Sequence, residues 1–391
     1  MRIWDKDNLA YLIDSSSPSP THHSILWFHN QCMFYQNDQR KLRWVHASER
    51  PVLLPKGEGI SLMVSDFISA DYGWLHSPDG MESAQVLFQP GASWEGYFTN
   101  EDVLQQYIIY YCSTNVMDIL QKYYPNDDHI FIFDNATIHT KRPPSSLSAR
   151  RMPKKTPKPD LKKPEKEANW FVEVDATDEQ GRPVYGPDRK KLKKKVRMAD
   201  GVLPSGRPQS LYFPEGHPQA GIFKGMAVIL MERGFFREAH LKAQCKDFKC
   251  PEDRIDCCCR RFLFNQPDFV AIESTLEMRC KERGFPALFL PKFHPELNPI
   301  EQCWCRVKLM YREFERSSEE AVMRSYVIDT LDAISPKHVR QYLNRTLRFM
   351  DSYRNGLDAV QAAWAGRKYH GHRTLPPGWK SDLEASGISC S

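Results

Sequence analysis

No run of eighteen apolar residues occurs anywhere in the 391-residue chain, which excludes a membrane-spanning helix of ordinary length. The opening residues, MRIWDKDNLAYLIDSSS, lack the basic-then-apolar layout of a secretory leader. No internal repeat stands out. These absences lead to the expectation of an intracellular protein with reduced thiols and no membrane partner. The apolar content is 41% and the aromatic content 12%, enough for a sizeable core.

Basic charge is also lacking over most of the chain. The total is only +5. From Lys141 to Arg197 there are 18 Lys and Arg against 8 Asp and Glu, a net of +10, so the remainder carries about −5. One segment holds the whole basic excess. It suits a polyanion, and it also suits a solvated tether. Its densest part, DRKKLKKKVR, offers Lys190, Lys191, Lys193, Lys194, Lys195 and Arg197 as phosphate contacts or as a nuclear address.

The apolar pattern predicts strands over 24–38, 43–48, 59–69 and 84–90, the first two forming an antiparallel hairpin. Residues 101–124 have helical spacing, with Asn100 as cap. HIFIFDNATIHT (129–140) reads as a buried strand that runs straight into Asp134. Three antiparallel strands, a helix and a return strand give the order of a ribonuclease-H-like α/β fold, with a mixed sheet flanked by helices. The division expected is a lead-in (1–23), the first part of that domain (24–140), a basic low-complexity insertion without a packed core (141–200), a Cys-rich insertion (201–262), the remainder of the domain (263–317), C-terminal helices (318–368) and a loose tail (369–391). Within these, a short helix is expected at 222–233, a helix at 267–284 ending on Gly284, a strand at 286–293, and a helix at 298–315 with Asn298 as N-cap and Pro299 at its first position.

A carboxylate at the end of a buried strand is costly without a partner. The partner offered is Glu301, in the phrase KFHPELNPIEQCW. Two carboxylates converging at one sheet edge suit Mg or Mn, hard ions that take oxygen ligands and bind phosphates. A helix-dipole role for Glu301 is also open. His139, five residues after Asp134, either supports such a site or caps the following loop.

The phrases FDNATIH and HPELNPIEQCW resemble two signature blocks of the mariner-type DDE transposases, DNAxxH and PDLNPIExxW. The wider text, including RWVH, MVSDF, LYFP, CKDFKCPEDRIDCCCRR and FLFNQPDF, is similar to a large-insert branch of that superfamily common in fungal genomes. The resemblance covers roughly residues 24 to 370. It implies a ribonuclease-H-like endonuclease domain in which three acids hold two metal ions, with Asp134 as the second acid, Glu301 as the third and His139 close to the metals. The family's first acid lies on the first strand, in a His-Asp-Glu-Ser block before an aromatic. Here that block reads HNQCMF: His29 and Phe34 keep their places, while Asn30 and Gln31 replace Asp and Glu.

Asn carries no charge, so two ions would face two carboxylates instead of three, and cleavage should fall by orders of magnitude. Asp66 and Asp38 are alternative first acids. The expectation is therefore a DNA-binding, transposase-derived domain with lost or strongly reduced cleavage and strand transfer. The alternatives are an active nuclease that uses Asp66 or Asp38, and a non-enzymatic DNA-binding or protein-interaction module. Only about 23 residues precede the first strand, so no helix-turn-helix and no sequence-specific DNA recognition are expected. The resemblance implies that a dimer is possible.

Cys245, Cys250, Cys257, Cys258 and Cys259 fall within fifteen residues. Thiols this dense in a reduced compartment point to structural zinc more than to disulfides, the alternative being partly buried free thiols that pack the insertion. The expected ligands are Cys245, Cys250 and two of the last three, with His240 as a substitute. Cys303 and Cys305 are expected to pack in the core.

Overall fold

The computed structural model describes residues 3–4, 11–12, 23–38, 46, 48, 57–91, 102–103, 116–158, 169–178, 184–188 and 190–388. The predicted strand 43–48, the helix cap at Asn100 and the first half of the predicted helix 101–124 lie almost wholly outside these residues. The chain divides into two compact units. One comprises residues 1–140 and 276–391, the other residues 141–275.

The first unit is a mixed α/β structure. Its sheet contains β1 (His23–Tyr35), β2 (Ser61–Ser69), β3 (Gly73–Trp74), β4 (Val86–Phe88), β5 (Asp127–Phe133) and β6 (Ala287–Phe289). The order is β6-β5-β1-β2-β3, and β4 also pairs with β2. Pairing among β1, β2 and β3 is antiparallel, whereas β5 runs parallel to both β1 and β6. The antiparallel partner of β1 among the described residues is thus Ser61–Ser69. The helices are α1 (Val116–Tyr123), α2 (Thr275–Glu282), α3 (Ile300–Tyr311), α4 (Glu320–Asp332), α5 (Pro336–Arg354), α6 (Ala359–Lys368) and α7 (Trp379–Ala385).

Strand alternation sorts the core into two layers. Even-numbered Phe28, Cys32, Phe34, Leu62, Val64, Ile68 and Ile132 pack with Ile300, Cys303, Trp304 and Val307 of α3. Odd-numbered Ile25, Trp27, Phe67, Phe131 and Phe133 pack with α1 and with Leu276 and Cys280 of α2. Side chains at even positions beyond the apolar stretches therefore emerge on the α3 face.

Two expectations about packing in this unit do not hold. Cys303 is buried, but Cys305 is exposed, because two positions on a helix are about 200° apart. Nor is the tail loose through residue 388. Leu375 and Trp379 pack with Leu357, Ala365 and Tyr369, and the Leu375 N–H donates to Asp351 at 2.6 Å.

The second unit has its own core. Leu147, Ala149, Met152 and Met198 are buried with Leu211, Tyr212, Phe223, Ile229, Leu263 and Phe269. The expectation of no packed core over 141–200 is thereby corrected. Val172–Asp175 and Lys193–Val196 form an antiparallel hairpin in the same stretch. Helix Met226–Glu232 begins where Gly225, at φ +86°, brings its backbone against Lys155. A Cβ there would lie 2.6 Å from the Lys155 carbonyl carbon. Below the helix, Arg233 is buried and grips Asp268 through two hydrogen bonds of 2.7 and 2.8 Å.

The predicted helix 267–284 is two pieces, Pro267–Val270 and α2, and the chain passes from the second unit to the first at the start of α2. The Thr275 N–H donates to the Lys141 carbonyl at 2.9 Å, so the first and last residues of the second unit are tied together. α2 ends as expected near Gly284, at φ +81°, where the Phe285 N–H returns to the Cys280 carbonyl.

Candidate functional site

β1 and β5 pair as far as Phe28 and Ile132. Two residues further on lie Asn30 and Asp134, both at even positions and so on the α3 face. Glu301 stands in the first turn of α3. The expected helix cap differs in detail: Pro299 is the cap residue, and the Asn298 amide instead donates to the His29 carbonyl at 3.1 Å. That bond ties the start of α3 to β1. The Asn298 amide oxygen is buried without a hydrogen-bond partner among the described residues.

The three positions meet. The Asn30 Nδ2 donates to Glu301 Oε1 at 2.6 Å. The Asn30 oxygen accepts from the Gln31 N–H at 2.7 Å, which fixes the end of the amide that faces Glu301. Asp134 Oδ1 accepts from His139 Nδ1 at 2.6 Å and from the Ala136 N–H at 3.1 Å. His139 is fully buried, and its Nε2 lies 3.3 Å from the Gln31 amide nitrogen, which is also 3.4 Å from His29 Nε2. His29 in turn bonds Ser65 at 2.9 Å. The Asn30 and Gln31 amides are thus wired in, one to a carboxylate and the other to histidines.

The two acids are shifted in opposite directions. Burial opposes ionisation of Asp134, yet the hydrogen bond and charge of His139 hold it below the usual carboxylate range. Burial pushes Glu301 up and the Asp134 charge adds to this, with the Asn30 amide countering only in part. Asp134, Glu301 and Asn298 line a cavity of about 400 Å3 together with Lys292, Phe293 and His294.

A pair of divalent ions does not fit this donor set. An ion between Asn30 and Glu301 would meet an amide N–H2 where an oxygen is required. Of the alternative acids, Asp38 lies past the end of β1 and is engaged by Arg312 at 3.1 and 3.2 Å. Asp66 lies directly across from Asn30 on β2, on the same face. It is almost wholly buried, it accepts from the Phe67 N–H and from Gln85, and burial pushes its pKa up to about 7. A carboxyl this deeply buried pays a desolvation cost to ionise before it can serve as a ligand.

The sequence reading missed Phe293. It is 95% exposed at the cavity and has φ +66°, unusual for a bulky residue. Its signal was an aromatic set between Lys292 and His294 immediately after a strand.

Compared with known proteins, the chain matches no protein-family model and no curated protein.

In the second unit, Cys245, Cys250, Cys257 and Cys258 bring their sulfurs within 4.8 Å of one another, and these four could hold a metal ion. The loop that joins the first two passes through Asp247 and Phe248 at φ +52° and +58°. Neither is glycine, so the turn is strained and is held by what lies around it. Burial disfavours the Cys245 thiolate, but hydrogen bonds from Cys257, Cys250 and Lys242 bring its pKa down. The Cys258 sulfur accepts the Arg261 N–H at 3.4 Å. Cys259 is not a member of the cluster. It is fully buried and its thiol is 3.2 and 3.3 Å from the carbonyls of Leu241 and Glu238. His240 also lies outside it, bonded to the Phe236 carbonyl at 2.8 Å.

The expected phosphate-binding run lies on and beside the hairpin strand Lys193–Val196, and all six of its basic residues are exposed. Several are partly neutralised. Lys191 and Lys193 converge on Asp175, Lys190 reaches Asp188 at 3.5 Å, and Lys195 stands across from Glu173. Arg197 stacks on Tyr212 at 4.1 Å. Lys194 stands across from Val174, so its strand neighbour brings no charge. Among the described residues no helix is long and apolar enough to cross a membrane.

Proposed function

We propose that the chain is a transposase-derived, ribonuclease-H-like domain of mariner type that binds DNA in the nucleus and has lost most or all metal-dependent cleavage and strand transfer. The observation that carries this is the hydrogen bond from Asn30 to Glu301, beside Asp134, at the edge where β1, β5 and α3 meet. The strand order, with an antiparallel trio followed by two parallel strands, supports the fold. In a catalytic site of this kind, Mg or Mn would activate water and steady both oxygens of the displaced phosphodiester. Here an internal donor takes the place of one metal-facing oxygen. Glu301 keeps a partner without an ion, which is what a binding scaffold needs and a nuclease does not.

DNA contact would be phosphate-directed, through the exposed cations of the second unit. Phe293 could add a ring on which an unpaired base stacks. The four cysteines would hold zinc, the ion that suits four thiolates in a closed tetrahedral site.

The test is a nicking assay on duplex DNA with Mg or Mn, which compares the unmodified chain, Glu301→Ala, Asp66→Asn, and the double revertant Asn30→Asp, Gln31→Glu. The unmodified chain should bind the duplex with an affinity that falls as salt rises, yet leave it uncut. Cutting should be regained, if at all, only by the revertant. Metal-dependent nicking by the unmodified chain that Glu301→Ala or Asp66→Asn abolishes would overturn the proposal.

A further inference from the structure

Helices α5 and α6 and the turn that follows them enclose a second cavity in the first unit, of about 510 Å3. Among the described residues that line it are Arg345, Arg348, Arg367 and His370, and none is Asp or Glu. Arg345 and Arg348 sit three positions apart on α5, so their charges are neighbours and repel. Such a cluster is unfavourable unless something negative joins it.

Arg348 forms the inner wall. It is 4% exposed, and one of its Nη atoms donates to the Tyr369 carbonyl. Its Nε is buried and has no hydrogen-bond partner among the described residues. Burial and the Arg345 charge both lower its pKa. A buried guanidinium beside a second cation is costly unless an anion comes close to the pair.

Two neighbouring amides have their oxygens engaged by arginines. Asn344 has its oxygen occupied by Arg373 Nε at 2.9 Å, which leaves its N–H2 as the free end. The Gln302 oxygen is met by Arg345 at 3.4 Å, and the Gln302 N–H2 donates to the Tyr342 carbonyl at 3.4 Å. The rim cation Arg345 is steadied over the Phe349 ring at 5.8 Å. A lining with three arginines and no carboxylate among the described residues selects an anion. The volume exceeds what a bare phosphate needs and falls within the ~300–1,000 Å3 range of small-molecule sites.

We propose that this cavity binds the phosphate group of a nucleotide, either free or at the 5′ end of a DNA strand. Arg348 and Arg345 would hold the phosphate oxygens, and Arg367 would close the rim. The site is separate from the acid pair, so it stands or falls independently of the loss of cleavage.

The full chain is titrated calorimetrically with dAMP, deoxyadenosine, and a short single strand with or without a 5′-phosphate. The proposal expects dAMP or the phosphorylated strand to bind at least about tenfold tighter than its unphosphorylated counterpart, the gain ordinarily given by a charge-assisted fork. Preference for dAMP alone identifies a free nucleotide, and preference for the phosphorylated strand identifies a strand end. The double variant Arg345→Gln, Arg367→Gln, both at exposed positions, should erase the preference. Arg279→Gln on α2 removes a charge elsewhere and should keep it. The proposal is overturned if the phosphate brings no gain with either ligand, or if the gain survives in a folded double variant.

Discussion

The residue that decides most is Asn30, which differs from aspartate by one amide group. The sequence placed Asn30 where the resemblance implies an acid, but it did not show what the amide bonds to. Only the structure reveals that the nitrogen is bonded to Glu301 and the oxygen to the backbone. Asp66, across the ladder, was visible only as a possible substitute, because burial cannot be read from VSDF alone. A raised folded-state pKa means that the folded chain holds the Asp66 proton more tightly than the unfolded chain. The stability it contributes is fully present below the unfolded value near 4 and is lost as pH rises through about 7. Asp66→Asn removes the ionisation. Between pH 5 and 8 the unmodified chain should therefore lose on the order of 2–3 kcal/mol relative to the variant. Melting temperatures of the two proteins at both pH values check this. An unchanged difference between them would mean that Asp66 is not titrating in the folded state.

At the scale of elements, legibility followed pattern. β1, β2 and β5 are long apolar runs whose alternation decides which face each side chain takes, and the sequence located them within a few residues. The predicted helix 267–284 failed because one apolar periodicity covered two elements that belong to different units. The cysteine loop was legible as a cluster but not as a ligand set. In a run of three consecutive cysteines the third has entered a helix, where its thiol turns to the carbonyls of Glu238 and Leu241. Spacing alone does not say where that helix starts. The ligand set is checked by metal content per chain. Cys258→Ser should lose the ion, whereas Cys259→Ser should retain about one zinc, because serine can make the same carbonyl contacts. Equal loss in both variants would show that the fifth cysteine takes part.

The whole molecule is a sheet domain interrupted by a second domain, and the sequence concealed the second core. Leu147, Ala149, Met152 and Met198 are scattered among lysines and prolines, and their partners are spread from Leu211 to Phe269, so no local period could announce them. The interruption is tolerated because Lys141 and Thr275 are hydrogen-bonded to each other, which presents the 135-residue insertion (141–275) to the sheet domain as a closed loop. The cores are separate, and the four-thiol site belongs wholly to the second. A structural zinc site is worth on the order of 10 kcal/mol to the unit that contains it. A strong chelator under reducing conditions should therefore melt the second unit selectively. The first would then carry an unfolded 135-residue loop, at an entropic cost of about 4 kcal/mol, since closure cost grows only with the logarithm of length. Limited proteolysis before and after chelation should show new cuts confined to residues 141–275, while β1, β2 and α3 stay protected. Calorimetry should show one transition lost and the other shifted down by several degrees. If both units open together on chelation, the insertion is not an independent folding unit. If neither does, the cysteines are packed thiols and the strained turn at Asp247 and Phe248 is held by side-chain contacts alone.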